Sequence, residues 1–428
     1  MKTNRIKTLL TAVLLSLCAS VSAYDFTVDG LYYNIVSLED LTCEITYGDK
    51  VDEYHGTYSG DIVIPETVTY NNKTLTVVKI GENAFYYCSE LSSVIIPQTV
   101  TYIGSQAFIG CGAITSITIP NSVTFIGYKA FGNCISLNNI VFEDGDKTLE
   151  WDNNDHSLTI FYGCPIDSLY LGRNLKRTDE YYAYGLFQDS SVKKLIVGNT
   201  VTEIENISFY GCEKLTEISL GNSVTTIGRF AFSDCDNLTE ISLPNSVTTI
   251  GEGAFSDCDN LTEISLPNSV TTIGEGAFYD CENLTKVSLG NSVTKIGDLA
   301  FKDCENLTEI SLGKSVAEIG SGALTGCSNL TTIYSLNPTP PTFESDEFTN
   351  KQYINMNVYV AKGSLAAYQT ADIWKNFWNL QEYSTDTGIG NITVDGVQEN
   401  KIYDLQGRKQ DAPQHGINII NGKKVLVK

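Results

Sequence analysis

Residues 238–260 read LTEISLPNSVTTIGEGAFSDCDN and residues 261–283 read LTEISLPNSVTTIGEGAFYDCEN. Only two of these 23 positions differ, Ser256 against Tyr279 and Asp259 against Glu282. The same spacing runs outward in both directions. Cysteines stand at 88, 111 and 134 and again at 212, 235, 258, 281, 304 and 327, with every gap inside each run equal to 23. A fixed period in the twenties predicts a chain of stacked coils. Clean copies begin at Leu91, Ile114, Val192, Leu215, Leu238, Leu261, Leu284 and Leu307, and stretched, degenerate ones fill 137–191.

In the copy at 238 the apolar positions are Leu238, Ile241, Leu243, Val247, Ile250, Ala254, Phe255 and Cys258. Leu-x-x-Ile-x-Leu puts Ile241 and Leu243 on one side of a short strand and Glu240 and Ser242 on the other. Pro244-Asn245-Ser246 turns the chain, Val247 to Ile250 forms a second extended piece, and Gly251 is expected to permit the next corner. Ala254 and Phe255 plug the interior before Ser-Asp-Cys-Asp-Asn closes the coil. One such rung buries too little to offset the entropy of ordering it, so rungs must stack. Identical rungs are complementary by construction, which gives the duplication an architectural cause. Roughly twelve rungs at about 4.8 Å per strand give a rod or shallow arc on the order of 55 Å long.

A stack exposes sheet edge and core at both ends and needs caps. Residues 24–74 read as an amino-terminal β cap, with strand-like alternation around the turn pair Asn71-Asn72. The solenoid itself spans 75–334. The prolines of Ser335-Leu-Asn-Pro-Thr-Pro-Pro341 stop the pattern, and 335–384 reads as a carboxy-terminal α/β cap. There a strand at Asn357–Ala361 precedes a helix-like run whose Trp374, Phe377 and Trp378 are expected to plug the last rung. A β-type tail follows at 385–428.

The unit L-x-x-I-x-L-P-x-S-V-T-x-I-G-x-x-A-F-x-x-C-x-x resembles the BspA-like leucine-rich repeats of bacterial secreted and cell-surface proteins. VYVAKGSLAAYQTADIWKNFWNLQEY is similar to the ends of such arrays. The resemblance implies a right-handed, β-rich leucine-rich repeat solenoid of parallel short strands that binds partners on its exposed strand positions. The tail, with KIYDLQGRK and GINIINGKKVLVK, resembles short carboxy-terminal modules on exported proteins of the Bacteroidetes, some of which serve in sorting or attachment.

Composition narrows the partners. With 28 Lys and Arg against 51 Asp and Glu, the net charge is −23. Such a chain repels nucleic acid and anionic lipid. The first 23 residues read as a signal peptide: a basic start (Lys2, Arg5, Lys7), the apolar run Leu9–Leu17, and small residues ending at Ala23, after which cleavage is expected. Lipidation at Cys18 is the alternative, disfavoured by Leu17 before it. The apolar run is too short to span a bilayer. The chain is therefore expected to be secreted or held at the cell surface, and not integral to the membrane.

Chemistry finds little support. In an exported chain eleven remaining cysteines suggest disulfides. Stacked rungs, however, would set column thiols about 4.8 Å apart and parallel, whereas a disulfide needs Cβ atoms near 3.8 Å and facing. Cys88, Cys111, Cys134, Cys212, Cys235, Cys258, Cys281, Cys304 and Cys327 therefore read as a structural column of buried thiols acting as small hydrophobes. No Cys-x-x-Cys occurs, and a calcium reading of the columns Asp234, Asp257, Asp280, Asp303 and Asp236, Asp259, Glu282, Glu305 competes with a role for them in turns. The repeated Asn-Leu-Thr matches a glycosylation pattern only as a by-product of the turn. The three histidines, His55, His156 and His415, lie far apart, and no nucleophile elbow or phosphate loop appears. Neither enzyme activity nor a cofactor or metal is expected.

Binding is the reading that remains. Glu217, Ser219, Glu240, Ser242, Glu263, Ser265, Lys286, Ser288, Glu309 and Ser311 should form a polar, mostly acidic outward stripe. A solvated face that blocks aggregation is the competing reading. Where the repetition breaks, Trp151, His156, Tyr170, Tyr181, Tyr182 and Tyr184 beside Arg173, Lys176 and Arg177 have the composition of an interface hot spot. A neutral loop insertion competes with that. The expected partner is an extracellular protein of host matrix or cell surface, hence adhesion, with a glycan or a ligand-free structural spacer as alternatives.

Overall fold

In a computed structural model the described residues are 23–48, 56–152, 160–178, 185–188 and 190–383, with four strands within 402–427. The signal-peptide assignment, His156, Tyr181, Tyr182 and Tyr184 lie outside them.

The rung at 261 follows its pattern. Leu261, Ile264, Leu266, Val270, Ile273, Ala277, Phe278 and Cys281 are all buried. Glu263–Ser265 pairs in parallel with Lys286–Ser288, and Thr272–Ile273 pairs in parallel with Thr249–Ile250 and Lys295–Ile296. Repetition extends both ladders. First strands make a five-stranded sheet from Ser116–Ile119 to Glu217–Ser219 and a six-stranded one from Glu263–Ser265 to Asn379–Glu382. Between them Thr239–Ser242 forms no strand, though Thr262 N still donates to the Thr239 carbonyl at 3.2 Å. Second strands run on into the amino-terminal cap. The fold is a β-solenoid of stacked parallel strands with a repeat of 23 residues, a mixed sheet at its start and short helices at its end.

Between the sheets the phenylalanines stack as a continuous column. Phe85, Phe108, Phe131, Phe161, Phe187, Phe209, Phe232, Phe255, Phe278 and Phe301 have neighbouring centroids 4.8 to 5.6 Å apart. Beside it every column cysteine is buried and reduced. The thiols are more than small hydrophobes. Each from Cys111 onward donates to the carbonyl of a phenylalanine in the preceding rung, as Cys281 Sγ does to Phe255 O at 3.1 Å.

One further column differs from the sequence expectation. Gly251 is not a left-handed corner. A Cβ there would lie 2.8 Å from Arg229 N and from the Gly228 carbonyl carbon, so the column exists because neighbouring backbones touch. The left-handed residues fall elsewhere, at Gly253 and at Asp257 in this rung (φ 57° for both). Asp234, Asp280 and Asp303 share that conformation, so this aspartate column is selected by backbone geometry. The turn asparagines tie successive rungs together. Asn237, Asn260, Asn283 and Asn306 each donate Nδ2–H to a carbonyl 24 residues back.

At the start, Thr67–Tyr70 and Lys73–Ile80 form a hairpin whose two loop residues, Asn71 and Asn72, have φ 49° and 61°, as a two-residue type I′ turn requires. Lys73–Ile80 then pairs in parallel with Tyr102–Ile103, which hands the cap over to the repeats. At the other end Trp374 and Phe377 are buried, and the Trp374 indole donates to Pro341 O at 2.7 Å. Trp378 is no part of that plug: it is 74% exposed. The chain divides at Tyr383 into two compact units. The second holds an antiparallel sheet in the order Lys409–Gln410, Ile402–Tyr403, Gly416–Ile420, Lys423–Val427.

Candidate functional site

Alternation along a first strand such as Glu263–Ser265 sends its first and third residues outward. Glu217, Ser219, Glu240, Ser242, Glu263, Ser265 and Lys286 are exposed. Glu309 and Ser288 are half-buried, and Ser311 is buried beside its ladder neighbour Tyr334, so the stripe closes there. Its charges are partly matched within the face. Lys194 Nζ lies 3.0 Å from Glu217 Oε2, and Lys286 Nζ lies 2.9 Å from Glu309 Oε1. Such exposed pairs add little stability. They do leave Glu240 and Glu263 as the stripe's carboxylates without an ion pair among the described residues.

The position of Ser219 carries other chemistry toward the amino terminus. Ile196 pairs with Ser219, Tyr170 with Ile196, and Val141 with Tyr170. Beyond Thr118 come Ile95 and Val63, which pair with each other and are 60% and 62% exposed. Along this column the face thus turns from serines in the acidic half to exposed apolar side chains at the other end, where the strand's other outward position holds Asp61. Reading every rung at the Ser242 position would have revealed this; the clean rungs drew attention to the acidic half alone.

The degenerate rungs do not present the expected hot spot. Trp151 is 1% exposed and Arg173 is 0% exposed, so neither can meet a partner. Trp151 closes a second strand, and the Arg177 guanidinium sits 6.0 Å from its ring. Arg173 turns inward beneath the Pro120–Val123 turn, donating to Pro120 O, Asn121 O and Val123 O at 2.8, 3.0 and 2.6 Å. Burial pulls its pKa down to about 10, which leaves it charged at neutral pH. Arg177 is half-buried, and its backbone N–H donates to Glu205 Oε1 at 2.9 Å. Asn174 Oδ1 accepts from Thr202 N and Glu203 N at 2.9 and 3.3 Å. These side chains span the place where the second-strand sheet breaks between Arg177 and Glu203. A cysteine-to-carbonyl bond also continues through this region, from Cys164 to Phe131.

Among the described residues no group of three or more His, Cys, Asp or Glu is placed to hold a metal ion. None of their helices is long and apolar enough to cross a membrane.

A family model described as the BspA type leucine rich repeat region (6 copies) matches residues 66–185, 181–304 and 248–364. Solved structures similar to the chain include a leucine-rich repeat protein of Bacteroides ovatus, 25% identical, covering 84% of this chain and 100% of its own, with a TM-score of 0.43. Another is a leucine-rich cell surface protein of Faecalibacterium prausnitzii, 25% identical over 85% of this chain and 95% of its own, with a TM-score of 0.39. No curated relative matches the chain.

Proposed function

Because the chain belongs to the BspA-type leucine-rich repeat family, we propose that it is an exported, non-enzymatic surface protein that binds other proteins through its first-strand face, in adhesion to host matrix or to other cells. One observation carries this reading. The face is a broad, solvent-exposed array of side chains whose character changes along its length, from Val63 and Ile95 to Glu240 and Glu263. A gradient of this kind distinguishes one end of a compact partner from the other, which a uniform stripe cannot do. Burial of Trp151 removes a stacking platform from the glycan reading. The tail beyond Tyr383 is proposed as the sorting or attachment module.

The test is capture of the mature chain by an array carrying matrix proteins and glycans. Binding to matrix protein that weakens when Glu240 and Glu263 become Gln, or when Val63 and Ile95 become Asp, supports the reading. Capture by glycans alone, or by nothing, overturns it.

A further inference from the structure

Gly60–Val63 is an edge strand. Among the described strands it pairs only with Leu91–Ile95. Its unpaired side borders a cleft of about 500 Å3 lined by this strand and by cap residues that include Asp29, Leu31, Thr67 and Val68. Among the described residues the cleft's charged lining consists of two carboxylates, Asp29 and Asp61, with no cation. Asp61 is fixed in place by the Ser92 and Ser93 hydroxyls, which donate to its Oδ1 at 2.8 and 2.7 Å. Those bonds hold its carboxyl below the usual range, so it is ionised at neutral pH. Two residues on, Val63 lines the same cleft and stays 62% exposed. The strand therefore offers, on one face at a spacing of two, a fixed negative charge and then an uncovered apolar side chain.

The geometry points to strand addition at this edge: an extended partner segment with Lys or Arg and an apolar residue at alternate positions docks along Gly60–Val63. Unpaired edges recruit strands through their main chain, and side chains at alternate positions supply selectivity. Directly opposed unlike charges stabilise such a pair, whereas like charges disfavour it. A basic residue beside Asp61 and Asp29 and an apolar one over Val63 complement both features. Ile95, the ladder neighbour of Val63, carries the apolar surface onward onto the first-strand face. The inference rests on the protein-binding reading above and places its recognition end at the amino-terminal cap.

The test measures binding of the mature chain to a synthetic hexapeptide with Lys and Val at alternate positions and Thr between them. It is compared with the same peptide carrying Glu for Lys and with a version N-methylated at alternate amides. At low salt the lysine peptide should bind at least about tenfold more tightly than either control, a difference of about 1.4 kcal/mol. Its affinity should fall by a similar factor in Asp29→Asn/Asp61→Asn and in Val63→Asp, both of which remain folded by circular dichroism at the assay temperature. Equal binding of the three peptides, binding of none, or undiminished binding to both variants overturns strand addition. Matrix capture without peptide binding would remove this inference alone, whereas peptide binding without matrix capture would remove the adhesion reading.

Discussion

The Cys258 thiol donates to the Phe232 carbonyl oxygen, 26 residues back, across 3.1 Å. Both residues are fully buried, and the same bond recurs rung after rung. The thiol thus fills interior volume and also satisfies a carbonyl that faces no solvent. Cys258→Ala should lower stability by about 2 kcal/mol, combining lost packing with the lost bond. Cys258→Ser should cost about 1 kcal/mol, since a shorter hydroxyl keeps a donor. Urea unfolding of the full chain measures both, and equal losses would show that the bond contributes nothing.

Burial also governs the column's reactivity. Desolvation raises the pKa of Cys88 to about 11 and lifts Cys235 and Cys327 well above the usual thiol range. The thiolate is the reactive form. A thiol reagent added to the native chain at pH 8 should therefore label none of the column cysteines within minutes, and all of them in denaturant. Stoichiometric labelling of native protein would contradict the dry interior.

The repeat was legible because its apolar spacing, 23 residues apart, is imposed by the stack itself. The inward register of Ile264 and Leu266 follows from alternation alone. Arg173 shows where that logic stops. A cation among tyrosines has the composition of a contact surface. Arg173 lies in the rung after the stretched segment that follows Phe142, which has eight residues before Trp151 where Leu243 has six before the equivalent Ile250. Spacing within one rung cannot report a cavity made by the rung before it. The edge at Gly60–Val63 was hidden for a related reason: an unpaired side is a property of what fails to pack there.

Arg173 should accordingly behave as a fold residue. Its three carbonyl partners lie two rungs back. Arg173→Ala leaves them short of donors and should cost about 3 kcal/mol. Arg173→Lys cannot reach three acceptors in a planar fork and should recover less than half of that. Thermal unfolding of both variants checks the order. An unchanged midpoint in Arg173→Ala would make the residue a surface contact after all.

Acid should stabilise the fold through Asp257, Asp236 and Asp259. Burial first, then the charges of Asp234 and Asp280 in neighbouring rungs, pushes the Asp257 pKa up to about 6. Burial likewise raises Asp236 and Asp259, with neighbouring carboxylates adding to it. An unfolded carboxylate titrates near about 4. The folded chain therefore holds more protons than the unfolded chain between about pH 4 and 6, and stability rises as pH falls through that window. Asp61 and Asp372, whose folded values are lowered by hydroxyl and lysine partners respectively, act oppositely below it. The thermal midpoint should peak between about pH 4 and 5. Asp257→Asn tolerates the left-handed backbone, so it should raise the midpoint at pH 7.5 and flatten its pH dependence. A midpoint that falls steadily from pH 7 to 5 would refute the assignment.

Two glycines in one rung should answer substitution differently. A Cβ on Gly274 would lie 2.5 Å from both Glu252 N and the Gly251 carbonyl carbon, which are backbone atoms of the rung before. Only separation of the rungs relieves that clash. Gly276 has φ 57°, and its added Cβ would meet nothing nearer than Tyr279 Cβ at 3.6 Å. Its equivalents in other rungs already carry side chains: Asn83, Gln106, Lys129, Phe230 and Leu299 adopt φ between 50° and 57°. Gly274→Ala should therefore cost more than about 3 kcal/mol and loosen the ladder on both sides. Gly276→Asn should cost less than about 1 kcal/mol, since asparagine visits this conformation readily. Urea unfolding of the two variants decides between contact and conformation as the reason for each glycine. Equal destabilisation would mean that the backbone angle, and not the closeness of successive rungs, selects both columns.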